Sequence, residues 1–100
     1  VFEKGMIITI EPGVYKEGKH GIRIENVAVV EEDIVTDSGQ FMKFETLSYV
    51  PIDLDGVDKE LLSESELKWL NDYHREVYNK LSPYLTDEEK QWLKEETRNI

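Results

Sequence analysis

Two glutamates stand where apolar side chains are expected. Glu11 closes the run Met6-Ile7-Ile8-Thr9-Ile10-Glu11, and Glu25 interrupts Ile22-Arg23-Ile24-Glu25-Asn26-Val27-Ala28-Val29-Val30. A carboxylate among Ile and Val side chains needs a partner, because burying an unpaired charge costs several kcal/mol. Three chemistries relieve that cost: protonation with a raised pKa, pairing with a cation, or ligation of a metal. Arg23 lies two residues before Glu25, which in a strand puts both on one face and opens the way to an ion pair. Two readings follow from spacing. In one, Glu11 ends its strand in water and Glu25 pairs with Arg23. In the other, both glutamates point into one cleft and hold one or two cations. Antiparallel pairing can set two carboxylates side by side, where their repulsion demands a metal or a shared proton.

The elements that would carry these residues are β-strands. Residues 6–11 are apolar on both parities, the pattern of a strand buried on both faces. Pro12-Gly13 ends it, since Pro offers no ladder N–H. Lys16 to Gly21 reads as a polar surface turn containing His20. Residues 22–30 form a second strand, expected to pair antiparallel with the first. Glu31, Glu32 and Asp33 mark its solvent-facing end, and Asp37-Ser38-Gly39 a turn. Residues 40–50 read as a third strand, stopped by Pro51. Tyr15, Phe41, Phe44 and Tyr49 could line a pocket, but strand aromatics are more often core, and they are read so here.

After Asp53-Leu54-Asp55-Gly56 the apolar period changes from strand-like to helical. A short helical turn is expected over 57–61. Ser63 with Glu66 forms a capping box, opening a helix with the stripe Leu67, Leu70, Tyr73 or His74, Val77 and Leu81. Pro83 ends it at about Ser82. Thr86 with Glu89 forms a second capping box, opening a helix to about Thr97 with Trp92 and Leu93 as apolar anchors. Trp69 and Trp92 suit a core and a partner surface equally well. His20 reads as a surface residue and His74 as a packing or exposed residue of its helix. The fold class expected is α+β: a small antiparallel sheet in residues 1–52, followed by two or three helices in 53–100.

A hydrophobic content of 39% supports a folded core, and the formal net charge of -10 argues against nucleic acid or an anionic membrane surface as partner. There is no cysteine, so a metal site must be built from carboxylates and imidazoles, which suits Mn, Mg or Ca, with Zn, Co and Fe as alternatives. No apolar run reaches the ~18 residues of a membrane span, and no signal-peptide pattern is read. The opening Val1-Phe2-Glu3-Lys4-Gly5 leads at once into a strand, which suggests a piece of a longer protein.

The exact residues carry a further signal. Gly5 to Tyr15, with its Glu11-Pro12-Gly13, and Gly21-Ile22-Arg23-Ile24-Glu25-Asn26-Val27 closely resemble the last part of the catalytic domain of Xaa-Pro aminopeptidases (aminopeptidase P), which are pita-bread metallopeptidases. The resemblance continues through Phe44-Glu45-Thr46-Leu47-Ser48-Tyr49-Val50-Pro51-Ile52 and Trp69-Leu70-Asn71-Asp72-Tyr73-His74, and ends with Trp92-Leu93-Lys94-Glu95-Glu96-Thr97. It implies a C-terminal fragment of a pita-bread fold. The enzyme would remove an N-terminal residue that precedes proline, using two divalent ions, most often manganese, with zinc or cobalt as alternatives. It also implies a cytoplasmic homodimer acting on peptides with proline in second position. By the same resemblance Glu11 matches a metal ligand also placed to handle a proton of the attacking water. Glu25 matches the glutamate that bridges both metals, and Arg23 matches an arginine that orients nearby carboxylates. The family's remaining ligands, two aspartates and a histidine, have no counterpart here; neither His20 nor His74 matches them. The expectation is a chain that binds metal weakly, leaves its sites unoccupied and hydrolyses nothing alone. The alternative is a stand-alone interaction or dimerisation module in which Glu11 and Glu25 are structural.

Overall fold

β-Branched and aromatic residues give the first half five short strands: β1 (Ile7–Ile10), β2 (Gly13–Lys16), β3 (His20–Arg23), β4 (Asn26–Thr36) and β5 (Gly39–Thr46). All pairings are antiparallel, in a three-stranded sheet of order β1-β4-β5 and a two-stranded ribbon β2-β3. The structure, a computed structural model, describes residues 1–100, which divide into two units, 1–48 and 49–100.

The first unit departs from the sequence expectation in three ways. The strand read as 22–30 is broken into β3 and β4, because Pro12 on the partner strand has no N–H to give. β4 does not stop at its acids but runs to Thr36. Beyond the reach of β1 it pairs with β5 alone, and its acids meet lysines: Lys4 with Glu31 and Lys43 with Asp33, both at 3.9 Å. A bulge between Glu32 and Val35, with Asp33 and Ile34 on β4 against Phe41 alone on β5, shifts the register on the way to the turn. Gly39, at φ 117, supplies the left-handed conformation that closes this turn.

The third departure is burial. Within this unit only Ala28 (1% exposed) and Val30 (0%) are buried apolar residues. β1 is not covered on both faces, and Tyr15, Phe41 and Phe44 are exposed rather than core. Alternation tells which residues share a face; it does not supply the layer that would cover it. Within this unit nothing packs over Ile7, Val14 or Ile22, each more than 60% exposed.

The second unit follows its helical signals closely. Short 3-10 turns at Leu54–Gly56 and Lys59–Leu61 precede α1 (Glu64–Leu81), and a third at Ser82–Tyr84 leads to α2 (Asp87–Glu96). Both capping boxes form: Ser63 and Glu66, and Thr86 and Glu89, exchange side-chain and backbone hydrogen bonds. Tyr73, Val77 and Leu93 make the core, with Tyr49, Ile52, Tyr78, Leu81 and Leu85 packed on it.

Residues 47–50 do not extend the third strand as expected; β5 ends at Thr46. The cause is a competing set of partners for the backbone. Leu47 N–H and Ser48 N–H both reach Val27 C=O, and Ser48 Oγ accepts from Val27 N–H at 2.8 Å. In the second unit Tyr73 Oη donates to Val50 C=O at 2.7 Å, and His74 Nε2 accepts from Ile52 N–H at 2.9 Å. Of the two expected anchors of α2, Leu93 is buried (1% exposed) while Trp92 is 59% exposed. That helix presents one narrow seam, and its next turn is occupied by the buried Thr97, whose hydroxyl donates back to Leu93 C=O. Trp69 is also exposed, and it stacks on Tyr73 with ring centroids 5.4 Å apart.

Candidate metal centre

The two glutamates are placed by a single hairpin register. β1 meets β4 through Ile7↔Val29 to Ile10↔Asn26, and β2 meets β3 through Gly13↔Arg23 to Lys16↔His20. Stepping on from Ile10↔Asn26 brings Glu11 opposite Glu25, then Pro12 opposite Ile24, then Gly13 opposite Arg23, so both ladders share one register. The intervening bond from Ile24 N–H to Pro12 C=O, at 3.2 Å, spans the gap in that same register. Pro12↔Ile24 and Met6↔Val30 lie at bonded positions, the latter through Val30 N–H to Met6 C=O. Glu11↔Glu25 therefore falls at a non-hydrogen-bonded position, where cross-strand side chains come closest.

The ion pair that spacing left open is formed. Arg23 Nε lies 3.1 Å from Glu25 Oε2, forming the ion pair. Thr9 Oγ1 donates to Glu11 Oε2 at 3.0 Å from the same strand face. Glu11 and Glu25 are exposed rather than sunk among the aliphatic side chains. Strand parity gathers Thr9, Glu11, Arg23 and Glu25 on one face, with Ile7, Val27 and Val29 farther along it, and turns Ile8, Ile10, Ile22 and Ile24 to the other. The Tyr15 hydroxyl oxygen, as acceptor toward the guanidinium, and then the charge of Glu25, hold the Arg23 pKa above its ordinary value. Arg23 is thus a permanent cation beside the carboxylates.

The donor set fits a divalent cation chemically but is incomplete. Two opposed carboxylates offer hard oxygen ligands, yet nowhere do three or more His, Cys, Asp or Glu side chains converge. His20 opens β3 at the far end of the hairpin, exposed. His74 is fully buried in the helical unit with Nε2 occupied by Ile52 N–H. Its Nδ1 meets no protein atom in hydrogen-bond geometry. Burial first, then the charge of Arg98, lowers its pKa, with the Arg98 backbone opposing slightly.

Tyr15 is exposed rather than buried in a core. Taken first as a core aromatic, it shares strand parity with Glu11 and Arg23 and raises the Arg23 pKa. The signal available was that the residues beside it on that face, Gly13 and Gly21, are both glycine.

Known proteins match this chain along its length. Residues 1–32 match metallopeptidase family M24, and residues 40–100 match the C-terminal region of peptidase M24. A probable Xaa-Pro aminopeptidase P of Coprinopsis cinerea is 43% identical over 102 residues, covering 96% of this chain and 16% of that protein. Human Xaa-Pro aminopeptidase 2 is 42% identical, covering 97% of this chain and 15% of that protein. The crystal structure of X-prolyl aminopeptidase from Caenorhabditis elegans, a cytosolic enzyme with a di-nuclear active site, superposes with a TM-score of 0.86 at 39% identity. That match covers 99% of this chain and 17% of the worm enzyme. The α+β arrangement is therefore that of the C-terminal part of such an enzyme, and the chain spans about a sixth of the length of these relatives. The chain belongs to metallopeptidase family M24.

Proposed function

We propose that this chain is the C-terminal part of a two-metal Xaa-Pro aminopeptidase and supplies one wall of its active site. The observation that carries this reading is the hairpin register, which opposes Glu11 and Glu25 on one face with Arg23 paired to Glu25. Glu25 would bridge the two ions, and Glu11 would bind one of them. Bound divalent ions would supply an activated water and a polarised Xaa-Pro carbonyl. The chain's own residues then have distinct tasks. Glu11, steadied by the Thr9 hydroxyl, accepts the proton of the attacking water. Arg23 fixes Glu25 and offsets repulsion between the two carboxylates. Residues 1–52 would close the catalytic domain and 53–100 form its helical extension.

Two carboxylates are only part of such a ligand set. The chain alone binds metal weakly and hydrolyses nothing; the upstream ligands complete the site. The whole enzyme would be a cytoplasmic homodimer, use manganese by preference, and act on peptides with proline second. Glu11→Ala and Glu25→Ala in the complete enzyme test the reading. Each is expected to abolish Xaa-Pro hydrolysis with little change in unfolding midpoint. A loss of stability with activity retained would favour a structural module instead. Manganese-dependent cleavage by the 100-residue chain itself would contradict the incompleteness of the site.

A further inference from the structure

The hairpin carrying the two glutamates has a mechanical weakness. Between Ile10↔Asn26 and Gly13↔Arg23 the backbone ladder lapses, and a single bond, Ile24 N–H to Pro12 C=O, crosses the gap. Pro12 cannot return the second bond of that pair. Glu11 and Glu25 sit in this lapse, so something other than the ladder must hold their surroundings.

Tyr15 is built to do so. A Cβ placed on Gly13 would come within 2.7 Å of the Tyr15 hydroxyl oxygen, and one on Gly21 within 2.7 Å of Tyr15 Cδ1. The ring therefore runs across both strands of the ribbon, from its cross-strand partner Gly21 to Gly13 two residues back. Neither glycine has a positive φ, so the backbone conformation does not select glycine at these positions; the space taken by the ring does. Gly13 is itself the cross-strand partner of Arg23. The hydroxyl end of the ring thus lies over the strand position facing Arg23, close enough to the guanidinium to favour its charge. Arg23 in turn meets Glu25 at 3.1 Å. A continuous line of contacts leads from the glycine shelf through Tyr15 and Arg23 to Glu25.

We propose that Tyr15 is a positioning residue of the metal centre, a ring laid over Gly13 and Gly21 that staples the hairpin beyond the Pro12 gap and fixes Arg23 against Glu25. The positioning of a metal ligand rests on the two-metal reading above; the staple itself does not.

The experiment has two arms. In the 100-residue chain, proton NMR reads the Hα shifts of the six glycines. Gly13 and Gly21 are expected upfield of the other four, through the ring current of Tyr15. Tyr15→Phe should keep those shifts, and Tyr15→Leu should lose them. Gly21→Ala should return Gly13 to an ordinary shift, since the ring gives way before the backbone does. Ordinary glycine shifts in the unsubstituted chain would overturn the staple. In the complete enzyme, Tyr15→Phe should weaken manganese binding or lower kcat by about 10- to 100-fold, the range for residues that orient a metal ligand, with KM little changed. Unchanged manganese affinity and kcat in Tyr15→Phe, alongside a large loss in Glu25→Gln, would overturn the positioning role. If Glu25→Gln also leaves both unchanged, the metal reading fails and the positioning of a ligand fails with it. The glycine shifts then decide the staple alone.

Discussion

The hairpin unit and the helical unit divide the labour unevenly. The helical unit closes upon itself: two capping boxes satisfy helix ends, α1 side chains hold the backbone of residues 50 and 52, and Leu54, Leu70, Tyr73, Val77 and Leu93 are buried. The hairpin unit buries Ala28 and Val30, leaves Ile7, Val14, Ile22, Phe41 and Phe44 exposed, and carries the paired carboxylates. The half that carries the proposed metal ligands is the half poorer in core. On the proposed reading, exposed carboxylates are what a site completed by other residues requires.

That contrast sets an order of expected effects. Leu93→Ala opens a cavity in the helical core and should cost about 2–5 kcal/mol, read as a lower urea midpoint by far-UV circular dichroism. A loss under ~1 kcal/mol would mean the helical unit is not the packed half. His74 comes next. Its folded pKa lies below the ordinary 6.5, so as pH falls the unfolded chain takes up the proton first. The stability it contributes is full above about pH 6.5 and is lost as pH drops toward the folded pKa. His74→Gln, which keeps an acceptor for Ile52 N–H, should flatten this slope; an equally steep slope in the variant would remove His74 from the account. Glu66 and Glu89 act in a more acidic window. Capping bonds from Ser63 and Thr86 lower their pKa values from 4.5, so their contribution is present above that pH and fades below it. Thr86→Ala should cost about 1 kcal/mol, measured in the same unfolding experiment. Smallest of all, Ile7→Thr on the exposed face of β1 should change stability by no more than about 0.5 kcal/mol. A loss as large as that of Leu93→Ala would show that the face is covered.

How much of this was legible in sequence differs between the same two regions. Ser63 with Glu66, and Thr86 with Glu89, act across three residues, so local spacing was enough to place both helices. The oddity of Glu11 and Glu25 was also local, and strand parity put Arg23 beside Glu25. What spacing withheld depended on distant partners. The loss of strand after Thr46 turns on Val27, and the fate of Val50 and Ile52 on Tyr73 and His74, more than twenty residues away. The exposure of Phe41 and Phe44 was illegible for another reason. An apolar alternation is the same whether or not a second layer covers it. The placement of Tyr15 was illegible because its ring fills the space left by the side chains that Gly13 and Gly21 lack.

The central claim is that Glu11 and Glu25 form one wall of a two-metal site. Its most direct measurement is the manganese content of the complete enzyme at equilibrium, unsubstituted and as Glu25→Gln. The account predicts two ions per chain falling to one or none, with Arg23 and the fold retained. Two ions held with undiminished affinity by Glu25→Gln would contradict it.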